Sequence, residues 1–185
     1  LFLYLISEQS AGYGAYIETD RWAVCSASPE LFFRLHGKDL ISRPMKGTIS
    51  RGRWVEEDQE RAESLRTSTK DRAENLMIVD MVRNDLGRVA ETGSVMVEHL
   101  FEIEKYATLF QMTSTIRCRT GAGLVDIFKA LFPPASITGA PKIRTMQIIS
   151  KLEADPRGIY TGTIGFLAPG RRAQFNVAIR TALVD

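Results

Sequence analysis

The sequence predicts an α+β fold with mostly antiparallel strands. Runs rich in aromatic and β-branched residues, several of them alternating, fill the first 50 residues and return beyond residue 94. Between them, from about Glu57 to Leu86, lies a stretch of helix formers with no Gly or Pro. Neighbouring strand-like runs are separated by short turn signals, as hairpins require.

In chain order, GAYIETDRWAVCSASPELFFRL reads as strands broken by a turn near Thr19-Asp20. HGKD is a second turn, and LISRPMKGT a further strand. Residues 51–58, RGRWVEED, are mostly polar and expected to be exposed. Within the helical stretch, Ser68 with Asp71 three residues on can cap a new helix, Leu76, Met77, Ile78, Met81 and Val82 supply its apolar face, and Gly87 suits its stop. SVMVEHLFEIEKYATLFQMTSTIRCRT returns to strand character, and GLVDIFKALF is a short helix ended by Pro133-Pro134. SITGAPKIRTMQIISKLE is a Gly/Pro turn feeding a helix, and GIYTGTIGFLAPGRRAQFNVAIRTALV a hairpin.

A chain of 185 residues suits one domain, and 24 basic against 22 acidic residues give a net charge of +2, too little to argue for nucleic acid. Cys25 and Cys118 form no disulfide framework or metal spacing, which points to a reduced, cytoplasmic setting. No apolar run reaches the roughly 18 residues of a membrane helix, and LFLYLI lacks the basic flank of a signal peptide. The chain starts without Met and stops inside a strand-like run, so both ends read as cut and residues 1–185 as part of a single domain.

Four places could carry chemistry. Lys46, in RPMKGT, is either an exposed turn charge or an amine facing a pocket. Glu74 shares a helix face with Ile78 and Met81; it either pairs with Lys70 four residues back or binds Mg²⁺, a hard cation that takes carboxylates, water and anionic ligands. The Thr138-Gly139-Ala140-Pro141-Lys142 turn is a plain helix start or an anion site, without the GxxxxGK[ST] pattern of a nucleotide P-loop. Arg180 falls in the alternation FNVAIRT, where it is a surface charge or a bidentate grip on a carboxylate; Tyr160 and Thr161 open the other arm of that hairpin. His36 and His99 form no triad and read as structural or solvated.

Together SPELFF, RPMKGT, KDRAENLMIVDMVRNDLGRV, SITGAPKIR, GIYTGTIGF and FNVAIRT resemble the chorismate-utilising enzymes, from about Ser28 to Thr181. The resemblance implies antiparallel sheets packed face to face with outer helices, a chorismate substrate and an Mg²⁺ cofactor. Lys46 points to the aminodeoxychorismate branch, where a lysine typically stands in P-x-x-G-T; anthranilate synthases typically have Ala. The implied chemistry is attack by Lys46 on ring carbon 2 with loss of the C4 hydroxyl, then ammonia addition at carbon 4 and departure of the lysine. The product, 4-amino-4-deoxychorismate, leads to p-aminobenzoate and folate. A free lysine titrates near 10.4, so only about one in 10³ to 10⁴ is neutral at pH 7, and the chemistry needs a site that lowers that value.

By the same resemblance Glu30 is the general acid for the C4 hydroxyl, where pattern alone allows a solvated strand-end carboxylate. Glu74 would hold Mg²⁺ against the ring carboxylate, and Thr138, Gly139 and Ala140 would receive that carboxylate. Tyr160 and Arg180 would surround the enolpyruvyl group, with Lys142 a weaker match. Gln111 stands where many relatives have a His, and Gln cannot transfer a proton at neutral pH; this suits amination better than the proton abstraction of anthranilate formation. The family has a long N-terminal portion and, beyond this stretch, a helix with another metal-site Glu. Ammonia would come from a glutamine amidotransferase, separate or fused. The alternatives are another family activity (anthranilate, isochorismate or salicylate synthesis) or a chorismate-binding module without turnover.

Overall fold

The computed structural model describes residues 1–9 and 12–185. Strands β1 (Tyr13–Glu18), β2 (Ala23–Ser28) and β10 (Thr181–Val184) make a three-stranded antiparallel sheet with β2 in the middle. The larger sheet runs β5 (Met45–Ser50), β7 (Leu109–Arg119), β4 (Asp39–Arg43), β3 (Leu31–His36), β9 (Arg172–Val177) and β8 (Thr163–Ala168). β6 (Met96–Lys105) pairs with β7 as well. Every pairing is antiparallel, as the alternating runs and short turns predict. β4 and β5 lie along the same edge of β7, one after the other across Pro44, because β6 fills the opposite edge.

Two chain segments pass from one sheet to the other. β2 continues through Pro29-Glu30 into β3, and β9 continues through Ala178–Arg180 into β10. Arg180 therefore does not lie within a strand: β9 ends at Val177, and Arg180 occupies a bend with φ of 49°. The alternation Phe175–Val177–Ile179 holds only to Val177, because the chain must turn there to reach the other sheet. Glu30 and Arg180 thus mark the two crossings.

The helical stretch divides at Ser68 into α2 (Val55–Thr67) and α3 (Thr69–Gly87). The Ser68 hydroxyl accepts from the Asp71 amide at 3.2 Å, the expected cap, which satisfies a donor that the first helical turn leaves orphaned. The stretch 51–58 is less exposed than expected at its two ends, because the Arg51 guanidinium forks onto the Asp58 carboxylate with both bonds at 2.6 Å.

α3 buries Asn75, Ile78, Val79, Val82, Asp85 and Leu86, so the apolar face predicted around Leu76 and Met77 is rotated. Both of those residues are more than two-fifths exposed. Gly87 is no left-handed stop: it is the last helical residue, and the helix ends through Arg88, whose amide donates to Asp85 and Leu86 carbonyls with ordinary right-handed φ.

α3 and α4 (Leu124–Leu131) pack on the large sheet around Phe33, Leu40, Ile116 and Ile127, all fully buried. Phe128 of α4 meets Phe33 and Phe175 edge-on at 5.2 and 4.9 Å. Side chains of this size are each worth about 1.5–3 kcal/mol when removed from water. A smaller cluster of Leu65, Phe110 and Met112 holds α2 and the β5 edge. The opening LFLYLI forms part of α1 (Phe2–Gln9), a helix not expected from the sequence, with Phe2 stacked on Tyr16 at 5.4 Å. Both cysteines are buried and free, while His36 and His99 are exposed, His99 facing Glu102 at 3.6 Å.

Candidate active site

Glu30 is held by its own backbone. The Glu30 amide donates to Ser28 Oγ at 3.2 Å, the Ser28 hydroxyl donates to the Val177 carbonyl at 2.6 Å, and the Val177 amide donates to the Glu30 carbonyl at 3.1 Å. These bonds stitch the two crossings together and turn the Glu30 carboxyl inward. It is only 4% exposed, so the solvated strand-end reading does not hold. Burial pushes its pKa up to about 7, against the opposing pull of Ser136, the Met45 amide and the Lys46 ammonium. A carboxyl of this kind carries a proton at near-neutral pH and can give it away. The Ser136 hydroxyl faces it from α5 (Ala135–Thr138), yet has no partner at full hydrogen-bond geometry.

Lys46 enters this surrounding from β5 and is partly buried. Between the pairs Met45–Thr113 and Thr48–Gln111 the strand gains one residue over β7, a bulge that includes Lys46 and Gly47. Gly47 has φ of 94°, and a Cβ there would stand 3.0 Å from Asp71 Cβ and 3.3 Å from both Leu65 and Met112. Glycine is required at this position by conformation and by the closeness of α3. Asn75 donates to the Lys46 carbonyl at 3.4 Å and Gln111 to the Gly47 carbonyl at 2.8 Å.

Several of the remaining candidates are divided between separate hollows rather than gathered with this pair. A cavity of about 20 Å³ joins Glu30 to Ser136, Asp85 and Leu131. Lys142, at the start of α6 (Lys142–Leu152), does not face an open anion site: its ammonium is 2.5 Å from Asp85 and donates to the Leu131 carbonyl at 3.0 Å. Ala140 and Lys142 border a groove of about 680 Å³ along Leu76, Met77 and Asp80 of α3. Thr138 and Tyr160 share a separate groove of about 520 Å³ with Met146 and Gly162. Gly139, with φ of 104°, turns the chain between α5 and α6. Arg180 is exposed; its carbonyl accepts from the Ala27 amide at 3.0 Å, which keeps the two crossings adjacent.

Glu74 lines none of these three hollows. Its side chain is 46% exposed, with the carboxylate 3.9 Å from Lys70, the pairing that its i, i+4 spacing allows. No group of three or more His, Cys, Asp or Glu residues is placed to hold a metal among the described residues. A single accessible oxygen donor still suits Mg²⁺, which keeps several waters and takes one or two carboxylates together with an anionic ligand. Glu74 is an accessible oxygen donor of the type that Mg²⁺ takes.

Three contributors were not singled out from the sequence as chemistry: Asn75, Asp85 and Ser136. Asn75 and Asp85 fall in the 75, 78, 82, 85 series of α3, and the signal is a polar residue in the phase of a buried face. Ser136 stands in the quoted SITGAPK, but nothing in that string tells its inward hydroxyl from an exposed one.

The chain is similar over most of its length to several known proteins. The chain is 47% identical to "Aminodeoxychorismate synthase component 1" of Bacillus subtilis, over 91% of the chain and 36% of that protein. It is 43% identical to "Anthranilate synthase component 1" of Aquifex aeolicus, over 92% of the chain and 35% of that protein. The crystal structure of anthranilate synthase component I from Streptococcus pneumoniae superposes with a TM-score of 0.89 at 32% identity, covering 98% of this chain and 40% of that one. The chain spans from 21% to 40% of the length of such curated relatives. A sequence model for chorismate binding enzymes matches residues 1–185 throughout, so the crossings that carry Glu30 and Arg180, the bulge at Lys46 and the helix that carries Glu74 are those of a member of the chorismate binding enzyme family.

Proposed function

We propose that this chain is the chorismate-handling part of an aminodeoxychorismate synthase component I, a single catalytic domain to which residues 1–185 belong. The observation that carries the proposal is a buried carboxyl with its pKa near 7, Glu30, within the electrostatic reach of a partly buried lysine on a bulged strand. The Lys46 amine forms a bond to ring carbon 2 of chorismate as both ring double bonds shift round the ring away from carbon 2 and the C4–oxygen bond breaks. Glu30 gives its proton to the departing hydroxyl, which leaves as water. Ammonia then bonds to carbon 4 and its extra proton returns to Glu30, both double bonds shift back, and the Lys46 nitrogen leaves carbon 2 with its electron pair. The sum is chorismate plus ammonia to 4-amino-4-deoxychorismate plus water.

Thr138, Gly139 and Ala140 would receive the ring carboxylate, with Tyr160 and Arg180 at the enolpyruvyl group. Lys142 would act on the turn through Asp85 rather than on the substrate. Glu74 would contribute one ligand to Mg²⁺, which when bound would neutralise the ring carboxylate. Ammonia would come from a glutamine amidotransferase partner, in support of which stands the name "component 1" of the Bacillus relative. No helix among the described residues is long and apolar enough to cross a membrane; a cytoplasmic place in p-aminobenzoate and folate synthesis is part of the proposal.

The second reading is anthranilate synthesis, favoured by the Aquifex relative and the Streptococcus structure. It requires ring-proton removal, and the side chain at 111 is an amide already bonded to Thr48 and Gly47. Product identification separates the two. Full-length protein incubated with chorismate, ammonium and Mg²⁺ should form 4-amino-4-deoxychorismate without pyruvate; pyruvate with an aromatic amine would select the second reading.

A further inference from the structure

We propose that Gln111 is a positioning residue whose carboxamide fixes the bulge at Lys46-Gly47 and so sets where the Lys46 amine stands relative to Glu30; this rests on reading Lys46 as the nucleophile. A bulge removes carbonyls and amides from the regular ladder and leaves them to find other partners. Here two consecutive carbonyls of β5 are taken by side-chain amides, Lys46 O by Asn75 and Gly47 O by Gln111.

The direction of each amide follows from what its neighbours can do. A main-chain carbonyl only accepts, so the amide must present its NH₂ group there and its oxygen elsewhere. The oxygen of Asn75 accepts from the Ser114 hydroxyl at 2.6 Å, and that hydroxyl in turn accepts from the Phe101 amide at 3.1 Å. The oxygen of Gln111 accepts from the Thr48 hydroxyl at 2.8 Å. Gln111 therefore spans one peptide unit, holding Gly47 by its carbonyl and Thr48 by its side chain.

The shorter bond, 2.8 against 3.4 Å, makes Gln111 the stronger of the two holds. It is also only 8% exposed, so little water competes for its carboxamide. The bulge is fixed on its other side by α3, which leaves no room for a Cβ on Gly47. With both sides held, the backbone from which the Lys46 side chain departs is fixed, and the charge of that side chain favours ionisation of the Glu30 carboxyl.

Gln111→Met removes both bonds at similar volume. Gln111→Glu keeps the acceptor for Thr48 but, ionised, has no proton for Gly47. Thr48→Val removes only the orienting hydroxyl, at an exposed position. In the full-length protein, kcat for ammonia-dependent amination should fall about 10- to 100-fold in the two Gln111 variants and less in Thr48→Val. KM for chorismate should stay within about twofold, since a displaced nucleophile weakens the reacting geometry rather than ground-state binding.

A second readout needs no turnover. The rate at which trace acetic anhydride acetylates Lys46 at fixed pH, followed by peptide mass spectrometry and normalised to exposed Lys151, should change at least about threefold in the Gln111 variants, as a changed amine environment requires. Unchanged Lys46 labelling, or labelling of every lysine rising together with a lowered melting temperature, would overturn the proposal. A Lys46→Ala protein that aminates at the wild-type rate would sink the nucleophile reading instead, and the labelling result would still decide whether Gln111 places the amine.

Discussion

The Lys142 ammonium lies 2.5 Å from the Asp85 carboxylate, with 17% and 11% of the two side chains exposed. With its second bond, to the Leu131 carbonyl, it ties the start of α6 to the end of α4 and the last turns of α3. Breaking a buried pair from one side leaves a charge without a partner, at a cost of about 3–5 kcal/mol. Asp85→Ala in the full-length protein should lower stability to urea by about 3 kcal/mol, and adding Lys142→Met should restore part of that loss. Equal stability of Asp85→Ala and wild type would show that the pair does not hold the turn.

Gly47 meets both a left-handed φ and a wall of three side chains. Gly47→Ala should cost about 1–3 kcal/mol, the range for a strained backbone position, and lower amination more than it lowers stability, because the strain falls beside Lys46. Urea titration and kcat measured on the same preparation check both halves.

Glu30 gives a pH dependence whose sign follows from its surroundings. Its pKa is about 7 in the folded protein against 4.5 as an ordinary glutamate, so the folded state binds more protons between those values. Its contribution to stability is fully present below about pH 4.5 and is lost as pH rises through about 7. Glu30→Gln does not titrate. Its melting temperature should therefore gain on the wild type between pH 5 and pH 8; a gap that is the same at both pH values would contradict the burial of an ionisable carboxyl.

Ser68 ends one helix and starts the next, and Asp71 supplies the amide that its hydroxyl accepts. Ser68→Ala should cost about 1 kcal/mol, and Ser68→Asp should keep most of the cap. A thermal melt of each variant is sufficient to see it.

Much of the fold was legible because its signals are local. The turns at Thr19-Asp20 and HGKD, the Ser68 cap and the residue-94 return to strands all depend on neighbours a few positions away. The face of α3 was not, because Asn75 and Asp85 are buried by partners far along the chain, the Lys46 carbonyl, Ser114 and Lys142, while Leu76 and Met77 border an open groove. Arg180 was misread as a strand residue for the same kind of reason: the bend that removes it from β9 exists because β10 belongs to the other sheet.

At the site, the nearness of Glu30 to Lys46 depends on β5 following β4 along one edge of β7, which no spacing in the sequence encodes. Lys142 shows the opposite case. A lysine at a helix start suggests an anion site in sequence, and the anion it meets is the protein's own Asp85.

The most direct test is the rate at which full-length Lys46→Ala protein forms 4-amino-4-deoxychorismate from chorismate and ammonium at pH 7. If the Lys46 amine carries the ring, that rate should fall by about 10³-fold or more, on the scale of losing a catalytic nucleophile. A rate within about twofold of the wild type, less than 0.5 kcal/mol in barrier, would contradict covalent participation of Lys46.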